Sequence, residues 1–419
     1  MQSILKIIKN SWPFLLGIIL GLYFITFNIT GKYFTHFPGD LGDARFNTYI
    51  LEHAHKFLTG QTSSLWNAPF MFPEKDVITY SDNLVGTAPF YSFFRLIGFD
   101  REASFQGWFL LMTILSYSCS YFFLNWYFKN KYSAVLGALV FAFSMALQSQ
   151  ITHAQTFPRF AIPLAFWMGI LFMDKLKPIY FFATLFIVVY EIYCGIYIGF
   201  MLSIPIVVLL LLIIITRWKI FYNKIKDLKW VGMMVGSVIF NILIILPLML
   251  PYFHRAQQTA FNNYENILVN IPTIKSHFFS QTGSILWKVF EKVGMDYPAW
   301  WDHQIYSGGI ATICLLIFGF IFFAKIINTN FFHQVTINKS LITLFFTGLI
   351  TFLFFIRFGN FSLYKIIFHV PGFAAMRAIQ RIINIELIFF AIATSFVFNY
   401  ILKKKKKFSI LIFILFAGI

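Results

Sequence analysis

The sequence predicts an all-α fold, namely a polytopic helical membrane protein with about 10–11 transmembrane helices. Of its 419 residues, 59% are hydrophobic and only 12% are charged, and that charged share is about half of what soluble domains carry. Apolar stretches recur along the whole chain, and each is long enough to cross a hydrocarbon core of about 30 Å. Together these observations exclude a soluble globular protein.

The predicted spans are apolar segments separated by polar or basic connections. They cover residues 12–29, 103–128, 132–147, 160–173, 178–194, 196–215, 231–252, 305–324, 341–356 and 382–402. The stretch 83–98 is also apolar, but glycine and proline interrupt it and Arg95 lies within it, so we expect a re-entrant or interfacial helix there. The last apolar stretch, 408–419, is too short to span and suggests an incomplete helix. Residues 1–419 are expected to form a single transmembrane domain.

The distribution of charge predicts the orientation. With the N-terminus in the cytoplasm, 18 of the 33 lysines and arginines fall on inner segments, and 14 of the 16 acidic residues fall on the outer side or in the outer halves of helices. This is the positive-inside pattern expected of a multi-pass protein of the inner (plasma) membrane. The net charge of +17 is therefore a topology signal and predicts no nucleic-acid partner. Long outer loops at about 30–102, 253–304 and 357–381 predict a periplasmic or extracellular working face.

The first outer loop opens with Gly39-Asp40-Leu41-Gly42-Asp43 and continues, over residues 44–58, with the pattern of an amphipathic interfacial helix. A carboxylate at a membrane–water boundary is suited to general base catalysis, so Asp43 and Asp40 are the candidate catalytic residues. Both also fit an alternative role as turn or cap residues before the helix. The two histidines of this helix are expected to be solvated. A divalent cation (Mg or Mn) on the two aspartates stays open, but no third ligand is evident, so no metal site is assigned.

Basic and histidine side chains at the outer boundary are candidate substrate-binding residues. Arg377 and Arg381 are four residues apart, so on a helix they would share one face and could clamp a phosphate or pyrophosphate. Anchoring of the helix to lipid phosphates is the alternative. The full set of candidates is Arg377, Arg381, His153, Arg45, Asp82 and His303. Glu191 and Glu386 lie within apolar helices and are expected to face the bundle interior, because an ionised side chain in lipid costs at least about 2.5 kcal/mol.

These features resemble the type C superfamily of integral-membrane glycosyltransferases, and in particular its bacterial members. The matching parts are the first helix entering from the cytoplasm, the long first loop with its two aspartates, the His-Ala-Gln segment 153–155 before a proline-bearing helix, and Pro371-Gly372-Phe373 followed by Met376-Arg377 and Arg381. The resemblance implies that a sugar passes from a polyprenyl-phosphate carrier to a glycan, lipid or protein acceptor on the outer side. It also implies a first-loop aspartate as the general base. In that family the two acidic residues are most often adjacent, whereas here they are three positions apart, which leaves the choice between Asp43, the preferred one, and Asp40 open.

Two other classes of membrane protein remain as alternatives. A polytopic transporter or a lipid or glycan flippase usually shows internal repeats, paired broken helices and charges near the bilayer midplane. Here no repeat is convincing, and the polar residues gather at one membrane face. An O-antigen ligase or polymerase typically relies on a large late outer loop, whereas in this sequence the first loop is the longest.

Overall fold

The computed structural model describes residues 2–258, 263–327 and 337–404. It confirms the predicted all-α fold, since 73% of it is helical. The strands within these residues are a single antiparallel pair, β1 (Arg357–Phe358) and β2 (Phe361–Ser362). The apolar stretch 408–419, which the sequence indicated as an incomplete helix, lies outside the described residues.

Eight helices in the described part of the chain are long and apolar enough to cross a membrane, and two shorter apolar helices of the same part complete the ten predicted spans. The α-helices are α1 (Gln2–Gly21, prolonged to Thr30 by a π-helical turn), α2 (Asp43–Leu58), α3 (Ala88–Leu96), α4 (Arg101–Phe128), α5 (Lys131–Phe143), α6 (Ala161–Lys175), α7 (Pro178–Cys194), α8 (Ile196–Thr216), α9 (Trp218–Ile225), α10 (Leu228–Gln258), α11 (Tyr264–Leu268), α12 (Gly309–Ile327), α13 (Lys339–Phe354), α14 (Tyr364–Phe368) and α15 (Ile383–Lys404). The two shorter apolar helices are α7 and α13. The protein is therefore a multi-pass helical membrane protein.

Polar side chains set where several of these helices begin. Asp100 accepts a hydrogen bond from the Ala103 amide at 2.7 Å and caps α4. Asn130 and Asn338 cap α5 and α13 in the same way, through the amides of the first turn. Such caps satisfy amides that have no partner within the helix. The short polar connections between apolar segments therefore fix the ends of the helices as well as separating them.

Three long connections meet at one end of the helix bundle, which we call the loop face. They are the first loop (31–100), the second loop (259–308, described from 263) and the third loop (355–378). Arg255, at the end of α10, binds Glu74 of the first loop at 2.8 Å. The Arg357 amide of the third loop donates to the Pro272 carbonyl of the second loop, also at 2.8 Å. The loops therefore form one connected layer. The connections of α4 to α5 and of α6 to α7, at residues 129–130 and 176–177, lie at the opposite end of the bundle.

The first loop packs on α4 through its own buried apolar cluster, which includes Leu51, Tyr91 and Trp108. Beside that cluster, Glu52 accepts hydrogen bonds from the Tyr91 hydroxyl and from Arg95 Nε, each at 2.9 Å. Since these partners belong to α3, the carboxylate joins α2 to α3. The apolar stretch 83–98 contains only the nine-residue helix α3, which is too short to span a membrane, as predicted.

The expectation that the histidines of α2 are solvated is wrong. His53 and His55 are only 5% and 7% exposed. His53 Nε2 lies 3.0 Å from the Ser64 carbonyl, and His55 Nδ1 lies 3.1 Å from the Ser92 hydroxyl. Burial lowers the pKa of both histidines below the usual value. The helix turns these side chains into the first loop, where both act as neutral hydrogen-bonding groups.

Candidate active site

Asp40 lies at the start of α2 and acts there as a cap. Its Oδ1 accepts hydrogen bonds from the Ala44 amide at 3.0 Å and the Gly42 amide at 3.2 Å. Both donors are backbone groups at the beginning of the helix, where amides lack intrahelical partners. The cap role considered for both aspartates is therefore observed for Asp40.

Asp43 has a different environment, although it is only three residues further along. It is the first residue of α2, and 56% of its side chain is exposed. Its Oδ2 lies 2.9 Å from His153 Nδ1, on a segment more than a hundred positions later in the chain. An exposed carboxylate held by one side-chain contact is open to a ligand at the loop face.

His153 lies between two 3₁₀ turns that separate α5 from α6, Met145–Gln150 and Ala154–Thr156. Burial lowers the pKa of His153, and the charge of Arg381 lowers it further, while Asp43 and Asp302 oppose the shift. An unperturbed histidine has already lost most of its protons near pH 7. Because the pKa of His153 is lower still, its imidazole is neutral at that pH. Because the carboxylate of Asp43 can only accept, Nδ1 carries the proton and Nε2 is left as an acceptor.

A second contact fixes α2 against the same segment. Asn47 Nδ2 donates to Gln155 Oε1 at 2.9 Å and to the Asp43 carbonyl at 2.8 Å. Gln155 is the last residue of the His-Ala-Gln segment noted in the sequence. Two residues of that segment thus contact the first turns of α2, and the relative position of Asp43 and His153 is set by two independent side-chain pairs.

The prediction that Arg377 and Arg381 share one helical face is wrong. The backbone at Ala378 is not helical (φ −89°, ψ 69°), and Arg381 lies in the 3₁₀ turn Ile379–Ile382 that follows. Tyr197, at the start of α8, brings the two positions together instead. Its hydroxyl accepts from the Arg377 amide at 3.3 Å, and its ring centroid lies 4.9 Å from the Arg381 guanidinium.

Asp82 joins the first loop to the same group of residues. It is 4% exposed, and its Oδ1 accepts from the Tyr197 amide at 3.3 Å. Burial raises the pKa of Asp82, and the charge of Arg381 and the amides of Tyr197 and Ile196 partly offset this effect. Tyr197 was not singled out in the sequence because it lies in a strongly apolar helix. The one sequence signal for it is the preceding Gly195, where the chain turns from α7 into α8.

Arg45 and His303 are not brought into this group. Arg45 is exposed on the first turn of α2, and no hydrogen bond or ion pair within the described ranges links it to the residues above. His303 is fully buried in the second loop, where Nδ1 bonds to Ser276 Oγ at 2.9 Å and Nε2 to the Val269 carbonyl at 3.0 Å. Its contacts hold that loop together.

The residues that the structure does bring together are Asp43, His153, Arg377, Arg381, Tyr197 and Asp82. We call them the loop-face site.

A cavity of about 1010 Å³ opens next to the loop-face site. Its walls come from α8, α10 and the second and third loops, and they include Phe200, Leu246 and Met249 on the membrane side. Ile196 and Ala375, which also line it, are close neighbours in sequence of Tyr197 and Arg377. The cavity thus has an apolar lining on its membrane side and adjoins the loop-face site at its other end.

Over residues 2–258, 263–327 and 337–404, no group of three or more histidine, cysteine or acidic side chains is placed to hold a metal ion. Comparisons with protein-family models, with curated proteins and with solved structures give no match. The fold and the site define the class: a multi-pass helical membrane protein with a carboxylate–imidazole pair and two arginine positions at one end of its bundle.

Proposed function

We propose that this protein is a membrane glycosyltransferase that moves a sugar from a polyprenyl-phosphate carrier to an acceptor hydroxyl at the loop face. The observation that carries the proposal is the 2.9 Å contact between Asp43 Oδ2 and His153 Nδ1. It holds an exposed carboxylate in a fixed position beside His153, whose pKa the charge of Arg381 lowers. Glycosyl transfer to a hydroxyl requires a general base, and a positioned carboxylate can take that role.

In the proposed reaction, the acceptor hydroxyl gives its proton to the carboxylate of Asp43. The acceptor oxygen forms a bond to the anomeric carbon of the sugar. The bond between that carbon and the carrier phosphate oxygen breaks, and the electron pair stays on the phosphate. His153 is a positioning residue in this scheme, because its Nδ1–H orients the carboxylate of Asp43.

The departing phosphate gains negative charge, which a guanidinium stabilises through charge-assisted hydrogen bonds. Arg381 is suited to this task because its side chain is only partly exposed and is stacked on Tyr197. Arg377 is exposed and follows the third loop, where it can reach the same phosphate from the solvent side. The stacked guanidinium is preorganised, so less freedom is lost when it binds.

The cavity of about 1010 Å³ supports the choice of a lipid-linked donor. Its membrane side is lined by phenylalanine, leucine and methionine side chains, which suit an isoprenoid chain. Its other end adjoins Arg377 and Tyr197 through their close sequence neighbours. A carrier lying in this cavity would present its phosphate to the arginines and its sugar to Asp43.

The charge distribution supports a particular placement in the cell. Lysines and arginines concentrate on the short connections opposite the loop face, which favours a cytoplasmic position for that end of the bundle. The proposal therefore puts the N-terminus in the cytoplasm of a bacterial cell and the loop face on the periplasmic or extracellular side of the inner membrane. A glycan, lipid or protein at that surface is the proposed acceptor.

A transfer assay with a matched arginine pair tests the proposal. Purified wild type, Arg381→Ala and Arg45→Ala are incubated with radiolabelled polyprenyl-phosphate sugars and membrane acceptors, and sugar on the acceptor is counted. Loss of Arg381 is expected to lower kcat/KM by about a hundredfold, whereas Arg45→Ala, an exposed arginine outside the loop-face site, keeps wild-type transfer. Movement of intact carrier across a vesicle membrane without sugar transfer would contradict the enzyme and favour a flippase.

A further inference from the structure

A second cavity, of about 370 Å³, lies between α12, α13 and α15. It shares no lining residue with the loop-face site, and its volume is in the range of small-molecule sites, about 300–1,000 Å³. Almost all of its lining is phenylalanine, leucine, isoleucine and glycine. The exceptions are Thr312, His277 and Glu386.

The cavity is elongated along the helices. On α12 its lining runs from Thr312 to Phe323, which at 1.5 Å per residue is about 16 Å. Thr312 lies in the first turn of α12 and Glu386 in the first turn of α15, both next to the loop face. The polar end of the cavity is therefore at the loop face, and the apolar end reaches toward the middle of the bundle.

The polar end is built around an ion pair. His277 Nε2 lies 2.9 Å from Glu386 Oε2, and His277 Nδ1 lies 3.1 Å from the Thr273 carbonyl. Burial opposes a charge on His277, but Glu386, through its charge and its hydrogen bond, and the Thr273 carbonyl raise the pKa of the imidazole above the usual value. Both ring N–H groups of His277 are thus engaged by acceptors.

Glu386 keeps one acceptor that the described chain does not use. Its Oε2 binds His277, while no hydrogen bond to Oε1 exists within the described residues, although Glu386 is 4% exposed and lines the cavity. Oε1 is accessible from the apolar cavity and has no donor there, so a donor from a ligand would be favourable. An anionic head group would be repelled by the Glu386 carboxylate, whereas a neutral hydroxyl can donate to Oε1 without bringing a second charge into the apolar cavity.

The cavity also has room for a chain and a route for its entry. A Cβ added to Gly319, on the cavity wall, would meet no atom within 4 Å. Nearby on α12, Leu316 and Phe323 line the cavity and are 61% and 47% exposed, so the wall continues onto the outer surface of the bundle. A molecule dissolved in the bilayer can therefore enter from the side.

We propose that this cavity binds a neutral single-chain amphiphile with a hydroxyl head group, drawn from the bilayer. The hydroxyl donates to Glu386 Oε1, and the chain lies along α12 and α13 toward Phe323. This inference is independent of the proposed glycosyltransferase function, since it uses none of the residues of the loop-face site.

Photolabelling with a long-chain primary alcohol that carries a diazirine in its chain tests the proposal. The purified full chain in lipid nanodiscs is labelled, digested and mapped by mass spectrometry. Wild type is expected to be labelled on α12, α13 and α15, in competition with the unlabelled alcohol. Gly319→Leu fills the cavity and is expected to cut this labelling to about a tenth. Gly232→Leu on α10, where an added Cβ also meets nothing within 4 Å, is the matched control and keeps wild-type labelling.

The head-group assignment has its own test. A fatty-acid probe of the same chain length is expected to label these helices about tenfold less than the alcohol, because its carboxylate faces Glu386. Glu386→Gln is expected to weaken alcohol labelling by about tenfold. If Glu386→Gln does not fold, Gly319→Leu still tests whether the alcohol lies in the cavity. Equal labelling of wild type and Gly319→Leu, or equal labelling by the acid and the alcohol, would overturn the proposal.

Discussion

Replacement of Glu52 by alanine is expected to destabilise the first loop, on which the position of Asp43 depends. Glu52 Oε2 accepts from the Tyr91 hydroxyl and from Arg95 Nε, each at 2.9 Å, and Arg101 Nε lies 3.5 Å from Oε1. These donors lie on α3 and α4, whereas Glu52 lies on α2. The carboxylate therefore joins three helices of the loop layer.

The expected magnitude follows from how buried each partner is. Tyr91 is fully buried, so its hydroxyl left without an acceptor costs about 1–3 kcal/mol. The Arg95 side chain is 22% exposed, which limits its contribution to about 1 kcal/mol, and that of Arg101, 64% exposed, adds almost nothing. The total is about 2–4 kcal/mol for Glu52→Ala. Glu52→Gln keeps an acceptor for Tyr91 and is expected to lose about half as much.

Equilibrium unfolding in detergent, followed by tryptophan fluorescence, measures this effect, because Trp108 lies in the cluster beside Tyr91. Glu102→Ala is the matched control, since Glu102 is exposed in the first turn of α4 and is expected to change stability by less than about 0.5 kcal/mol. Equal stability of Glu52→Ala and Glu102→Ala would refute the reasoning. Tryptic digestion should also cut the first loop of Glu52→Ala faster than that of wild type.

Further predictions concern the start of α2 and the buried histidines. Asp40→Ala is expected to lose about 1 kcal/mol of unfolding free energy through the missing cap, whereas Asp40→Asn is expected to lose little. Thermal unfolding compares the two variants, and equal losses would argue against the cap. Because burial lowers the pKa values of His53 and His55 below 6.5, the unfolded chain binds protons that the folded chain does not, so their contribution to stability is lost as pH falls below 6.5. The unfolding midpoint, measured between about pH 7.5 and 5.5, should therefore fall less steeply with pH in His53→Gln than in wild type. An equal slope in the two proteins would contradict the lowered pKa of His53. His153→Asn should lower kcat for transfer by about ten- to a hundredfold with donor KM unchanged, as expected of a residue that positions Asp43, and a rise in KM alone would indicate a binding role.

Much of the fold follows from the sequence because lipid imposes a simple rule. A segment that crosses the membrane must be long and apolar, so the eight candidate spans and the two shorter apolar helices of the described residues could be located from composition alone. The same rule correctly placed Glu191 and Glu386 in the interior, where they are 0% and 4% exposed. The helix predicted over residues 44–58 is present as Asp43–Leu58.

The details of the site depend on backbone geometry and on distant contacts. Asp40 and Asp43 looked alike in sequence, and only the chain path at Gly42 decides that the first one caps α2. The partner of Asp43 lies 110 residues away, and nothing in the local pattern indicates such a pairing. The prediction that Arg377 and Arg381 share a helical face was wrong because the backbone at Ala378 is not helical.

The most direct test of the account compares Asp43→Asn with Asp40→Asn in the sugar-transfer assay. The two changes remove the same charge three residues apart, and asparagine at position 40 still accepts the amides at the start of α2. The account predicts that Asp40→Asn transfers sugar at nearly the wild-type rate, while Asp43→Asn loses about 10²–10⁴-fold, the usual contribution of a general base. Equal transfer by wild type and Asp43→Asn, with both proteins folded, would contradict the central claim.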